Sequence, residues 1–148
     1  FIKKNCNNKI PKKKVLNESD KKLLNNLQNN VSLLIDLMNM QNLNEYLKMV
    51  VNFSFEANKY FNDSEPWAVK KKDPDRMNSI LFTAVQQIKN ISILLTPIIP
   101  TSTNKVLDIM NIKEKQIKIS NISNFDLFNH DIELKDLKIL FTKIENDN

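Results

Sequence analysis

The sequence predicts an all-α antiparallel helical bundle with an irregular C-terminal tail. Three observations carry the prediction. Three long segments place apolar residues at alternating spacings of three and four, the period of a helix with one buried stripe. Polar capping residues open those segments, and prolines help to punctuate them. The connections between them are short, which favours antiparallel neighbours crossing near 20°. No self-similarity at a fixed period points to a repeat array.

Taken in order, residues 1 to 16 hold Lys3, Lys4, Lys9, Lys12, Lys13 and Lys14 around Pro11 and read as a frayed helix end followed by a basic loop. Ser19 can cap a helix running to about Met40, with Leu24, Leu27, Val31, Leu34 and Met38 as its stripe. Asn42 caps the next helix, to about Asn62, with a seam of Leu43, Leu47, Val50, Ser54, Ala57 and Phe61. Asp73 and Pro74 then supply an N-cap and a first-turn proline. The helix they open carries Met77, Leu81, Ala84, Ile88, Ile91 and Leu95 on one face and stops near Thr96, ahead of Pro97. Ile98 and Ile99, between two prolines, are expected to pack onto the bundle. Thr101 or Ser102 opens a short fourth helix through Val106, Leu107 and Met110. From Lys113 the pattern weakens: Ile117 and Ile119 alternate with polar residues, Phe125, Leu127 and Phe128 form an apolar knot, and at most a short helix is expected near Leu134 to Leu140.

Composition limits the function. A chain of 148 residues with 41% hydrophobic and 26% charged residues suits one globular domain without disulfide support. It contains no glycine, on which phosphate-cradling loops, nucleotide fingerprints and nucleophile elbows depend, so an ATP site within it is not expected. The single cysteine, Cys6, and single histidine, His130, are far apart and suggest neither a metal cluster nor a nucleophile pair. The net charge of +5 is carried by lysine, with Arg76 the sole arginine. Lysines supply point charges for phosphate, whereas bidentate recognition belongs to arginine, so this chain is better suited to positioning RNA than to reading it. No apolar run is long enough for a membrane span and no signal peptide opens the chain, so a cytoplasmic setting is expected.

The most informative stretch runs from Ala57 to Trp67, Ala-Asn-Lys-Tyr-Phe-Asn-Asp-Ser-Glu-Pro-Trp. It sets the only tryptophan behind Pro66, which must stop the helix by about Glu65 and bring the indole out on a stiff corner. Lone tryptophans mostly anchor cores, and spacing alone favours that reading. The pattern Ala57-Asn58-x-Tyr60, then five residues to Pro66-Trp67-x-Val69, resembles the anticodon-binding domain of methionyl-tRNA synthetases and reverses the preference. The segment Leu94-Leu95-Thr96-Pro97-Ile98-Ile99-Pro100 resembles a helix end and turn of that family. The terminal Leu140-Phe141-Thr142-Lys143-Ile144-Glu145 resembles its closing motif, with Thr142 departing from the usual proline.

The resemblance implies a class I synthetase type of anticodon-binding helical bundle over 1–148, divided into a helix end and basic loop (1–16), a bundle (17–112) and a tail packed on it (113–148). It implies that Trp67 presents its indole to the anticodon bases CAU of tRNA(Met). Pro66 fixes the corner, and Asn58, Asn62 and Asp63 are the nearest groups for base edges. Lys70, Lys71 and Lys72, directly after the corner, would serve the phosphates, although such a run is usually a solvated face. Asn58 and Tyr60, two apart, cannot both reach one base, and Tyr60 is expected to pack with its hydroxyl tied to another element. In the family an Asn and an Arg four residues apart on a preceding helix complete the site, and their positions fall before Phe1. An acidic residue often stands five before the tryptophan, where this chain has Asn62 with Asp63 beside it.

The resemblance also implies a parent ligase that joins methionine to its tRNA. ATP, and optionally zinc, would belong to a catalytic domain acting in cis. The HIGH and KMSKS signatures of that domain are absent from this sequence, so the fragment is expected to bind RNA as a monomer and to catalyse nothing. Two alternatives stay open on residues alone: a basic helical module for protein contacts, or the anticodon domain of another class I synthetase.

Overall fold

The computed structural model describes residues 1–7, 9–12, 15–113 and 118–123. The expected apolar knot at Phe125 to Phe128, the short helix near Leu134 to Leu140, and Ile117 and His130 lie outside the described residues. Seven α-helices follow in order among those described: α1 (Ile2–Asn5), α2 (Glu18–Asn29), α3 (Val31–Asn39), α4 (Leu43–Ser64), α5 (Pro66–Val69), α6 (Pro74–Leu95) and α7 (Pro100–Ile109), then a 3₁₀ helix at Ile119–Ser123. The all-α prediction holds, and no described helix is long and apolar enough to cross a membrane.

Local chemistry sets the helix starts. Asn17, rather than Ser19, caps α2: its side chain accepts from the Asp20 N–H while Asp20 accepts from the Asn17 N–H, a reciprocal capping box. Ser19 instead donates to the Asn17 side chain. The expected single helix to Met40 is two helices. At Asn30, φ −101° and ψ 1° depart from helical geometry, and the Asn30 amide donates to the Asn26 carbonyl, offering the backbone a local alternative to the helical ladder. Asn42 caps α4 as predicted, and Asp73 with Pro74 opens α6 as predicted. The last start differs: α7 begins at Pro100, its first-turn proline, with Ile99 as the preceding residue, so Thr101 and Ser102 already lie inside the helix.

Helix α6 is the axis of the bundle. Met77, Ile80, Leu81, Phe82, Val85, Ile93 and Leu94 are buried around it, and Ser79, Thr83, Gln86, Gln87, Lys89, Asn90 and Ser92 are buried too. That placement overturns the single-stripe expectation, in which Ile88 faced the core; Ile88 is exposed. The Lys89 ammonium, whose pKa burial pushes down to about 7, donates to the Gln86 side chain and the Asn121 carbonyl, and so ties α6 to the 3₁₀ helix. On α4 the buried face is Tyr46, Val50, Phe53 and Tyr60. Of the predicted seam Val50 is fully buried, but the rest is rotated off this face: Leu43 and Leu47 are exposed, while Ser54, Ala57 and Phe61 are half-buried. The aromatic residues carry the larger buried area and decide the orientation. Ile98 packs partly against the core and Ile99 is exposed. Ile10 and Pro11, read as part of a basic loop, are buried.

Two tyrosines record the antiparallel packing of α4 and α6. Tyr46, in the first turn of α4, donates to the Leu94 carbonyl at the end of α6 at 2.5 Å. Tyr60, near the end of α4, donates to Asp20 Oδ1 at 2.5 Å. Arg76, in the first turn of α6, closes on the same carboxylate with two hydrogen bonds, Nη1 to Oδ2 at 2.6 Å and Nη2 to Oδ1 at 2.8 Å. Asp20 is fully buried and thereby joins α2, α4 and α6. Burial alone would raise its pKa, but the bonds from Arg76, Tyr60 and the Asn17 N–H outweigh it and hold the carboxyl below its ordinary range. Burial and the Asp20 carboxylate both push the Tyr60 phenol up.

Removing one member leaves a buried charge uncompensated. Arg76→Ala should therefore cost about 3 to 5 kcal/mol of stability in urea unfolding. Because the folded-state pKa of Asp20 is lowered, its contribution is fully present above the ordinary carboxylate value near 4 and is lost as pH falls through the lower folded value. Asp20→Asn should lower stability at neutral pH and flatten the acid limb of a stability-against-pH curve; an unchanged acid limb counts against this assignment.

Candidate nucleic-acid interface

The proline corner has a defined backbone. Helix α4 ends at Ser64, and Glu65 adopts the left-handed conformation, φ 46° and ψ 58°. The ring of Pro66 disfavours the right-handed region for Glu65, and the left-handed one both ends α4 and reverses the chain. For a residue with a Cβ this costs about 1 to 2 kcal/mol. The turn that follows offsets it: the N–H groups of Ala68 and Val69 donate to the Glu65 carbonyl at 2.9 and 3.0 Å, and Lys70 N–H donates to the Pro66 carbonyl at 3.0 Å. Pro66 is buried at N1 of α5, so the corner is anchored from beneath while the next side chain, Trp67, faces outward.

Trp67 is 48% exposed. One side of the indole is held by an aromatic row that the sequence reading did not assemble. The Phe61 ring meets the indole edge-on, with centroids 5.9 Å apart and planes at 62°. Phe1 meets Phe61 at 6.3 Å and 85°. Edge-to-face contacts of this kind fix ring orientation without covering both faces. Phe61 is six residues from Trp67 and Phe1 is sixty earlier, so only the tertiary fold brings them together.

The other candidate residues surround this corner unequally. Asn58 and Asn62 are exposed and one helical turn apart on α4, hence on a common face that leads to the corner. Asp63 is exposed but engaged: it accepts from Lys59 Nζ at 2.6 Å. That bond and the charge of Asp63 hold the Lys59 ammonium above its ordinary range. Lys70 donates to the Asn5 side-chain oxygen at 2.5 Å, joining α1 to the end of α5; Asn5 in turn donates to the Phe1 carbonyl at 3.0 Å. Lys71 and Lys72 are exposed beyond it. The lysine triplet thus divides into one tethered and two outward residues. Cys6 lies near Lys70, yet burial outweighs the pull of that ammonium and of the N-terminal amine and raises the thiol pKa. It remains a thiol at neutral pH and is not an activated nucleophile. Arg76, the one guanidinium, belongs to the Asp20 cluster and not to this surface.

The arrangement offers one flat aromatic surface, amides that can both donate and accept, and ammonium groups around them. Those are the elements by which proteins hold unpaired bases: a stacking plane, edge contacts and phosphate charges.

Comparison with known proteins gives this geometry its context. Residues 10–148 match the family profile described as the anticodon binding domain of methionyl tRNA ligase. The chain is 31% identical over 122 residues, 82% of its length, to a methionine--tRNA ligase of Brucella suis biovar 1, and covers 24% of that protein. It is 28% identical over 146 residues to the methionine--tRNA ligase of Ureaplasma parvum, covering 97% of this chain and 28% of that one. The chain therefore spans about a quarter of the length of these relatives. In fold it is similar to the apo form of Mycobacterium tuberculosis methionyl-tRNA synthetase, with a TM-score of 0.87 at 19% identity, over 97% of this chain and 29% of that one.

An aqueous quencher should reach Trp67 readily in the folded chain, and Phe61→Ala should increase quenching further by freeing the indole. Emission that resists iodide until the chain unfolds would show a core tryptophan instead.

Proposed function

Given that this chain belongs to the family of methionyl-tRNA ligase anticodon-binding domains, we propose that it recognises the CAU anticodon loop of tRNA(Met) for a parent enzyme that attaches methionine to that tRNA with ATP. The observation that carries the reading is the half-exposed indole of Trp67, held on a proline corner and steadied from one side by Phe61.

The physical scheme follows from the corner. An anticodon base leaves the loop stack and lies on the free face of Trp67, a contact worth about 1 to 3 kcal/mol and indifferent to base identity. Asn58 and Asn62 supply amide groups for base edges, where identity is read. Asp63, neutralised in part by Lys59, sits beside them and disfavours a phosphate approaching from that side. Pro66 contributes rigidity, so little conformational entropy is lost when the base docks. Lys71 and Lys72 serve the phosphates directly; Lys70 does so while bonded to Asn5, which fixes its position. The parent's catalytic domain, in cis, supplies ATP chemistry, and this segment, acting from a monomer, supplies selection.

In the same reading residues 1–148 act as one unit, with 1–16 completing the aromatic row, 17–112 forming the bundle, and 113–148 packing on it. The profile match over 10–148 supports treating the segment as one domain.

Trp67→Ala should weaken binding of a CAU anticodon stem-loop by about 1 to 3 kcal/mol, read by fluorescence anisotropy, with the melting temperature nearly unchanged. Lys71→Ala with Lys72→Ala should weaken all RNA loops alike and reduce the slope of log affinity against log salt by about 0.7 per lysine. Loss of folding in Trp67→Ala, with affinity per folded molecule unchanged, overturns the assignment.

A further inference from the structure

Helix α4 carries an exposed apolar row that neither the bundle nor the proline corner uses. Leu47, Val51 and Phe55 follow one another at one-turn intervals on its outer face. Leu47 and Val51 are moderately exposed, at 39% and 40%, whereas Phe55 stands out at 69%. Apart from Val51, the helical neighbours of Phe55 on this face are polar. Asn52 is three residues before it, Asn58 three after, Lys59 four after and Asn62 seven after, so all border the same side of the helix. Phe55 stands on the wall of an open groove of about 860 Å³ between α2 and α4, lined by Asn26, Lys48 and Asn52 and also by Leu47, Met49 and Val51. Glu56 in that groove accepts from the side chains of both Asn26 and Asn52, which disperses its charge.

Resting on the anticodon-loop reading above, we infer that Phe55 is a second stacking platform, for an unpaired nucleotide that neighbours the one on Trp67. Continuity favours RNA as the occupant. Asn58 and Asn62 lie between Phe55 and the proline corner, and the distance from Phe55 to Glu65 along α4 is about 15 Å at 1.5 Å per residue, within reach of a single strand of a few nucleotides. The surroundings favour it as well. A phenyl ring bordered by the amides of Asn52 and Asn58, with Lys48 two turns along the same face and Lys59 beside it paired to Asp63, on a chain of net charge +5, matches a base with a phosphate nearby. The apolar side chains near the ring, Leu47, Met49 and Val51, lie toward the start of α4, whereas the side that leads to the proline corner carries Asn58, Lys59 and Asn62.

The test measures affinity of the chain for a CAU anticodon stem-loop and for the same RNA with one loop nucleotide made abasic in turn. Phe55→Ala should lower affinity roughly 5-fold to 150-fold, the range for one stacked base. Phe55→Tyr should restore it, because the plane is retained. One abasic position should weaken the unaltered chain but not Phe55→Ala, and it should differ from the position sensitive to Trp67→Ala. The salt slope should not move, since no charge is removed. Being two-thirds exposed, Phe55 can be replaced without unfolding the chain, and thermal melts check this. If Phe55→Ala binds like the unaltered chain while Trp67→Ala binds weakly, the Phe55 platform is wrong and the anticodon reading stands. If neither substitution matters, or the unaltered chain ignores the RNA, both fail. Self-association that is lost in Phe55→Ala, with RNA affinity unchanged, makes the face a protein contact and also overturns the inference.

Discussion

Everything in the bundle leans on one carboxylate. Asp20 caps its own helix, pairs with the two nitrogens of Arg76 and receives the Tyr60 hydroxyl, so a single buried charge sets the relative position of α2, α4 and α6. The apolar surfaces supply the driving force for packing, yet oily contacts tolerate rotation and sliding. A charge out of water tolerates neither, because every lost bond leaves it uncompensated. The cluster sits at the end of the bundle where α4 finishes and α6 begins, and α5 with its corner bridges that same end. The geometry of the outward indole therefore depends on an inward ion pair.

The corner itself shows how a chain without glycine makes a sharp turn. Among the described residues four take positive φ, namely Asn7, Gln41, Glu65 and Asn111. Three of these directly follow, or lie just beyond, the end of a helix among α3, α4 and α7, where a left-handed residue stops the ladder. Asparagine tolerates that conformation comparatively well, and glutamate much less. Glu65 holds it because Pro66 removes the right-handed alternative and the backbone bonds of α5 close over the turn. Strain held by several bonds at one place is a means of keeping an adjacent side chain in one attitude.

What could be read from the sequence was whatever local chemistry decides. Asn42, and Asp73 with Pro74, open helices through bonds to residues three ahead, and Pro66 limits its immediate neighbour, so those starts and the corner were legible. The break at Asn30 was not, since apolar spacing runs through it undisturbed. The face of α4 was misjudged because apolar residues occupy both sides, and only the partner helix decides that Tyr46, Phe53 and Tyr60 turn inward. A central helix defeats periodicity in another way: Gln86, Gln87 and Asn90 on α6 look like surface residues and are buried. At the candidate interface, the tryptophan and its flanking amides and lysines could be named through the resemblance carried by the Ala57 to Val69 pattern, whereas spacing alone favoured a core anchor. The tether from Lys70 to Asn5 and the row from Phe1 through Phe61 join distant positions and left no local mark.

The sole arginine is occupied in the bundle, so the other positively charged side chains at neutral pH are lysines. The exposed cations are thereby amines and the cation on Asp20 is a guanidinium, while Lys89 is a buried amine that also serves the structure. A reagent that acylates primary amines strips the charge that draws a polyanion and spares the ion pair at Asp20. A dicarbonyl reagent selective for guanidinium does the reverse, attacking the one guanidinium that holds Asp20. Surface attraction and the Asp20 ion pair can thus be titrated separately in one molecule, without changing a codon.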